Sequence, residues 1–319
     1  MPRPPLAPRA GRFAPSPTGE LHLGNLRTAL VAWLSARSAG RSFIVRMEDL
    51  DRVTSSVQHE HDQLRDLDAI GIDWDGEVVH QSERFDLYDD AIATLTAAGR
   101  TYECFCTRRE IRDAISAPHG EQRALVADGA YPGTCRRLTA SRLAELRADG
   151  RRPATRLLAG GATIDVVDEL HGAVRGVVDD VVLRRNDGVP AYNLAVVVDD
   201  AAQGVDEVVR GDDLLASTPR QVLLQQLLGL TTPRYVHVPL VLGADGVRVA
   251  KRHGAVTLAQ LAALGIDSAA TLAMLASSLG LAASGDRPRR AADLLAGFDI
   301  GAIPREPWGL PANLQRSML

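Results

Sequence analysis

Apolar positions along the first hundred residues keep two alternating rhythms. Leu26, Ala29, Leu30, Trp33 and Leu34 recur at helical spacing, and Gly40 follows where such a helix would stop. Ser42–Met47 is a short, nearly continuous apolar run, as a buried strand requires. A second helix is predicted through Val57, Leu64, Leu67 and Ile70, stopping near Gly71, and a third through Leu87, Ala91 and Leu95, stopping at Gly99. Strands alternating with helices predict a mostly parallel sheet covered on both faces. The rhythm breaks from about residue 101 to about residue 178, a stretch with few long periodic runs. Residues 181–184 restore a strand, and Asn186-Asp187-Gly188 signals a tight turn. Two further apolar, β-branched segments follow at 195–198 and 207–210, then a helix over 214–228. Beyond Gly243 the chain reads as mainly helical. The predicted fold is α/β, with one parallel sheet split by an insertion.

Composition narrows this picture. A chain of 319 residues has room for more than one domain, and 45% hydrophobic with 24% charged residues is ordinary for a folded protein. The formal net charge of -4 gives no global basic footprint, so a nucleic-acid partner would rely on local patches. Arg108, Arg109, Arg112, Arg136, Arg137, Arg151 and Arg152 offer one, with a merely solvated arginine-rich face as the plain alternative. Arginine dominates the positive charge. No apolar run reaches transmembrane length, and the opening Met1-Pro2-Arg3-Pro4-Pro5 lacks the apolar core of a signal peptide. Three cysteines, two of them in Cys104-Phe105-Cys106, make no secreted disulfide framework. A cytoplasmic protein without a membrane partner is expected, acting as a monomer.

The densest chemistry lies near the amino terminus. Between Arg12 and Asn25, Pro15 and Pro17 fix a turn, Gly19 and Gly24 permit close backbone approach, and Ser16, Thr18 and His22 supply polar contacts. The loop leads straight into the first predicted helix. A helix amino terminus is a good seat for phosphate, because its free N–H groups and its dipole both favour anions. Neither the Gly-Lys-Ser/Thr phosphate loop nor the three-glycine dinucleotide pattern is present, so this is a different nucleotide loop.

The wording of this stretch, RFAPSPTGELHLGNLRTAL, resembles the first ATP motif of the class I aminoacyl-tRNA synthetases, and specifically the glutamyl branch. The motif has two histidines around an apolar-glycine pair; His22 stands in the first place and Asn25 in the second. The segment RMEDLD after the second strand also resembles that branch, where its first acid holds the ammonium of the amino acid, a role that falls to Glu48. The segments YNLAVVVDD and VRGDDL match in turn. A dicarboxylic substrate needs two anion receptors, and guanidinium groups fit carboxylates with two prongs. The resemblance assigns Arg12, Arg210 and Tyr192 to glutamate, with Ala14 and Ser16 beside them. It assigns Pro15, Thr18, His22, Gly24, Asn25 and Lys251 to ATP.

GADGVRVAKRHGA, starting at Gly243, resembles the second ATP motif, a mobile loop with two lysines around an apolar-serine pair. Arg248 takes the first lysine position, Ala250 the serine position, and Lys251 keeps the second lysine. A cation there can follow charge building on departing pyrophosphate. The resemblance therefore makes His22, Lys251 and Arg248 the catalytic set, with Mg2+ accompanying ATP. YECFCTRREI and GAYPGTCRRL resemble the family's zinc-binding insertion. It implies one structural zinc held by Cys104, Cys106, Cys135 and Tyr131; His119, chemically the more ordinary ligand, is the rival for the fourth place.

The implied architecture is a Rossmann-type nucleotide-binding sheet with its first half over 10–100 and its second half over 181–243. A zinc-binding insertion fills 101–180, and an ATP-motif loop with a small mainly helical region fills 244–319. Because the chain stops at Leu319, before any anticodon-binding domain, the resemblance is best to the short paralogues that attach glutamate to queuosine in the anticodon of tRNA(Asp). ATP, L-glutamate and queuosine-bearing tRNA(Asp) are the implied partners. A truncated enzyme charging a tRNA 3′ end, or a non-catalytic tRNA-binding relative suggested by Arg248 and Ala250, are the alternatives.

Overall fold

The computed structural model describes residues 9–111, 131–243, 246, 256–282, 287–311 and 314. Its central strand is β1 (Ala10–Phe13), buried at every position. β1 pairs in parallel with β2 (Ser42–Met47) on one side and β9 (Val205–Gly211) on the other. β3 (Val79–His80) extends the sheet beyond β2, and β10 (Arg234–Val238) extends it beyond β9, all in parallel. The chain therefore moves outward from β1 in one direction, then resumes on its other flank. Such a reversal opens a crevice beyond the carboxyl ends of the two strands that flank it, here β1 and β9.

Helix α1 (Leu23–Ser38) is expected from Leu26 onward and begins three residues earlier, capped by His22. It is buried on almost every face, because the sheet covers one side and the carboxyl-terminal helices cover the other. Leu26, Leu30 and Leu34 share one cluster with Val45 and Val236 of the sheet and with Leu272, Leu275 and Leu294. Gly11 is what lets α1 sit so close: a Cβ there would lie 2.8 Å from the Cβ of Ala36. The fully buried Arg27 ties the layers together, donating to the carbonyl of Pro239 at 2.8 Å and to the Ser278 hydroxyl at 3.1 Å. Helix α2 (Val57–Ala69) lies beside the amino-terminal loop, and α3 (Phe85–Ala97) packs on the sheet's opposite face.

The stretch expected as an insertion divides between two sheets. β4 (Thr101–Cys104), β5 (Ala154–Leu157) and β8 (Val182–Arg184) make a separate antiparallel sheet, and α4 (Ala140–Ala148) lies between β4 and β5 in sequence. β8, expected to reopen the nucleotide-binding half, thus belongs to the small sheet. The hairpin of β6 (Thr163–Asp168) and β7 (Gly172–Val177) instead joins the main sheet beside β10. β6 alternates exposed and buried positions, the pattern of an antiparallel strand with one face on the core.

Of the two apolar, β-branched segments, only 207–210 is a strand. Residues 195–198 lie in α5 (Tyr192–Ala202), with Leu194, Ala195, Val196 and Val197 buried against α3 and the sheet. Burial on several sides rewards an apolar run in either conformation, and here tertiary packing overrides β propensity. The helix expected over 214–228 is a 3-10 turn (Asp212–Ser217) followed by α6 (Thr218–Leu228). Pro219 sets the break, since it lacks the N–H an interior turn needs and suits the first turn of a new helix. After β10, β11 (Val241–Leu242) pairs in parallel with β12 (Trp308–Gly309). Helices α7 (Leu258–Ala263) and α8 (Ser268–Ser278) lie between them in sequence. No described helix is long and apolar enough to cross a membrane.

Candidate active site

A cleft of about 200 Å³ opens where β1 and β9 end. Arg12, Ala14, Pro15, Ser16, His22, Gly24, Asn25, Glu48, Tyr192 and Arg210 all line it, so ten sequence-predicted residues meet there. Thr18 lies on the same loop, its N–H donating to the Ser16 carbonyl at 2.8 Å, but it is not among the lining residues. Arg248, Ala250, Lys251 and His119 lie outside the described residues.

The loop is held from three directions. Glu48 N–H donates to the Pro15 carbonyl at 2.9 Å, and Ser56 N–H to that of Pro17 at 3.0 Å. Buried Gln63 on α2 donates to the carbonyls of Ser16 and Gly19 at 3.0 and 2.7 Å. At the loop's end His22 and Asn25 cap α1 reciprocally: His22 Nδ1 accepts from Asn25 N–H, and Asn25 Oδ1 accepts from His22 N–H, both at 3.2 Å. The requirement for Gly24 follows directly, because a Cβ there would lie 2.9 Å from the His22 ring. His22 also bridges to Thr257, and Leu23 N–H donates to the Val256 carbonyl at 2.9 Å. Val241 stands 3.6 Å from the same Gly24 position. The described residues on either side of the second-motif stretch therefore flank the first motif.

Charge in the cleft is arranged around Arg46, the first residue of RMEDLD, to which the resemblance assigns no role. It is fully buried, and its guanidinium meets Asp200 at 2.8 Å, Glu48 at 3.5 Å and Asp199 at 3.7 Å. Burial disfavours its charge, but these carboxylates outweigh burial and hold it firmly protonated. Asp199 is buried as well, with Gln81, Arg84 and Tyr88 donating to it at 2.6–2.8 Å. Glu48 is pushed above the ordinary carboxylate value by burial, against the pull of Arg46 and Arg12. An arriving ammonium would reverse that shift, which suits the role expected of it.

Arg12 donates to the Val209 carbonyl at 3.0 Å and stands 3.5 Å from Asp200, while its buried Nε has no hydrogen-bond partner among the described residues. Arg210 is held by His237, Gln221 and Thr218 at 2.7–2.9 Å. His237 is pushed below the ordinary imidazole value by burial, with the Arg210 charge adding and the Asp168 hydrogen bond opposing, so it is neutral at pH 7. Tyr192 opens α5 at the cleft rim and keeps 38% of its surface exposed. Asp168, Asp199, Asp200 and His237 were not singled out from sequence. A histidine inside the apolar run 235–238, and two acids closing the run at 195–198, were the available signals.

A family model of the catalytic domain of tRNA synthetases class I (E and Q) matches residues 10–288. The chain belongs to this family. Among relatives, a Glutamyl-Q tRNA(Asp) synthetase of Nocardia farcinica is 60% identical over 304 residues, covering 95% of this chain and 94% of that one. Another of the same name from Symbiobacterium thermophilum is 48% identical, covering 95% and 96%. Among solved structures, a glutamate tRNA ligase of Elizabethkingia meningosepticum, in complex with its amino acid, is similar with TM-score 0.78 and 25% identity. That match covers 97% of this chain and 68% of the other. The chain is thus a class I aminoacyl-tRNA synthetase-like ligase.

The synthetase's cysteines form the second constellation. The sulfurs of Cys104, Cys106 and Cys135 lie within 4.8 Å of one another and can hold a metal ion. Tyr131 turns its hydroxyl into the group, 3.3 Å from Cys104 Sγ and 3.6 Å from Cys106 Sγ, and accepts Cys135 N–H at 2.8 Å. Arg156 stacks on its ring, 3.6 Å from the centroid. Of the arginine patch nearby, Arg136 and Arg151 are committed to Asp180 and Glu110, while Arg108, Arg137 and Arg152 are exposed.

Proposed function

We propose that this synthetase activates L-glutamate with ATP and transfers it to queuosine in the anticodon of tRNA(Asp). The observation that carries the reading is the cleft itself: two arginines, a buried acid and a phenol converge beside a capped helix amino terminus. The names of its relatives, which match along nearly their full length, supply the acceptor.

The chemistry takes two steps. The glutamate α-carboxylate attacks the α-phosphorus of ATP, the bond to the β-phosphate breaks, and glutamyl-adenylate and pyrophosphate result. A queuosine hydroxyl then attacks the activated carbonyl, AMP departs, the hydroxyl proton passes to solvent, and an ester remains. Arg12, Arg210 and Tyr192 receive the glutamate carboxylates, Glu48 its ammonium, and Ala14 and Ser16 shape the floor. The helix end at His22 and Asn25, with Pro15, Thr18 and Gly24, seats ATP, which brings Mg2+ with it as counter-ion. No enzyme nucleophile is needed; alignment and charge stabilisation by His22, Arg248 and Lys251 carry the rate. Lys251 is the only lysine in a chain with 36 lysine and arginine residues. Keeping a compact ammonium where arginine serves everywhere else supports a role that guanidinium geometry does not fill.

Cys104, Cys106, Cys135 and Tyr131 fit zinc, since a soft three-thiolate set completed by one oxygen suits it. Zinc bound there would be structural, tying the end of β4 to the 131–135 segment. The enzyme is assigned to the cytoplasm as a monomer. ATP–pyrophosphate exchange without tRNA tests the activation step. Glutamate supports exchange and glutamine does so poorly, because a buried guanidinium losing its partner costs about 1.5–3 kcal/mol. Equal exchange with glutamine contradicts the assignment.

A further inference from the structure

The two arginines of the cleft carry their charge differently. Arg12 has the Asp200 carboxylate 3.5 Å from its Nε. Arg210 has no carboxylate against it among the described residues. Its Nε donates to His237 Nε2 at 2.9 Å, Nη1 to Gln221 Oε1 at 2.7 Å and Nη2 to Thr218 Oγ1 at 2.9 Å, three uncharged acceptors. An acid stands one residue further back: Asp168 Oδ2 lies 2.7 Å from His237 Nδ1. Both side chains are fully buried.

The geometry fixes which ring nitrogen carries the proton. A guanidinium N–H only donates, so His237 Nε2 must be bare, and the proton must sit on Nδ1 facing Asp168. The carboxylate cannot turn away. Its Oδ2 also accepts the His237 backbone N–H at 3.1 Å, and its Oδ1 accepts those of Leu170 and His171 at 3.0 Å each. The register of β6 against β10, with Asp168 opposite Tyr235, brings the pair together.

We propose that Asp168 and His237 are positioning residues, a tautomer lock that aims Arg210 into the cleft while leaving its charge to an incoming carboxylate. The inference rests on the reading of the cleft as the glutamate site. An acid placed directly on Arg210 would take its donors and cancel its charge. With the imidazole interposed, the N–H groups not used by His237, Gln221 and Thr218 remain for a ligand. The opposite tautomer would set donor against donor and displace the guanidinium. The pair therefore sets affinity for the acid-bearing substrate and leaves ATP untouched.

Two measurements test this. Side-chain 15N spectra of the wild-type protein, with His237 assigned by its absence from His237→Gln, read the tautomer without any activity. Protonated Nδ1 is expected, and protonated Nε2 overturns the lock. In ATP–pyrophosphate exchange, a wild type indifferent to glutamate would sink the functional reading, leaving the spectra to judge the lock. With an active wild type, His237→Leu raises KM for glutamate about tenfold or more while kcat and KM for ATP stay within about twofold. His237→Gln, which keeps an acceptor for Arg210 and a donor for Asp168, recovers most of the loss. Both KM values rising together, an unchanged glutamate KM, or a Gln variant no better than Leu overturns the proposal. Should His237→Leu fail to fold, Asp168→Asn is read by the same KM comparison.

Discussion

The cleft's arginines are held by partners on other elements of the fold, whereas the side chains of the cysteine cluster are held largely by one another. Arg12 on β1 reaches the Val209 carbonyl, Arg46 on β2 reaches Gln203 and Asp200, and Arg210 on β9 reaches His237 on β10. Each of these arginines is thus fixed by the order of the sheet. Cys104, Cys106, Tyr131 and Cys135 converge from two short segments, and their contacts are chiefly thiol to thiol and thiol to phenol. The fold organises the cleft before any substrate arrives. The cluster has the form of a site that a metal ion would complete. Damage to the two should therefore spread differently.

The largest effect is expected at Arg46. Arg46→Leu strands Asp200, Asp199 and Glu48 in the interior, and breaking one side of a buried ion network costs about 3–5 kcal/mol. Urea unfolding measures it, and a loss below about 1 kcal/mol would show that the cleft does not depend on this hub. Next comes Lys251→Ala, which should slow pyrophosphate exchange by about 10²–10³ with little change in KM for glutamate or in the unfolding midpoint. An unchanged rate would leave the second motif a likeness of wording alone.

Asp66 on α2, beside the amino-terminal loop, gives a smaller and opposite effect. Burial pushes its carboxyl up to about 6, with Glu20 and Asp62 adding and Arg65 opposing. The folded state then holds a proton that the unfolded chain releases near pH 4. Stability falls as pH rises from about 4 to about 6, and the whole penalty is present above that. Asp66→Asn should therefore gain about 1–3 kcal/mol at pH 7 and much less at pH 4. An equal gain at both values would assign it to packing. The smallest effect on the cleft is expected from Cys135→Ser. It should abolish metal binding, near one zinc per chain in the wild type, and expose 131–157 to protease, with exchange reduced less than about threefold. His119→Ala should keep the metal; its loss there would move the fourth ligand away from Tyr131.

Legibility follows the same division. The loop from Arg12 to Asn25 and the cysteine set are short-range features, so their wording and spacing place them directly. The helix ends near Gly40, Gly71 and Gly99 are local too. Residues 195–198 misled because an apolar, β-branched run satisfies a buried helix as well as a strand. Residues 163–177 are expected in the insertion and instead join the main sheet, because that placement is decided by a strand's neighbours. Arg46 and His237 were legible only as polar residues inside apolar strands, and Asp168 only as the acid that closes β6. Their partners lie on other elements, and pairings over such distances leave no periodic trace.

The central claim is that the activated glutamate goes to a modified base and not to a tRNA end. Incubating the protein with ATP, labelled glutamate and tRNA(Asp) carrying queuosine, then mapping the label by nuclease digestion, tests it most directly. The account predicts label on the anticodon queuosine, released by mild alkali as an ester, and none on the same transcript lacking queuosine. Label on the terminal adenosine of unmodified tRNA(Glu) would contradict it.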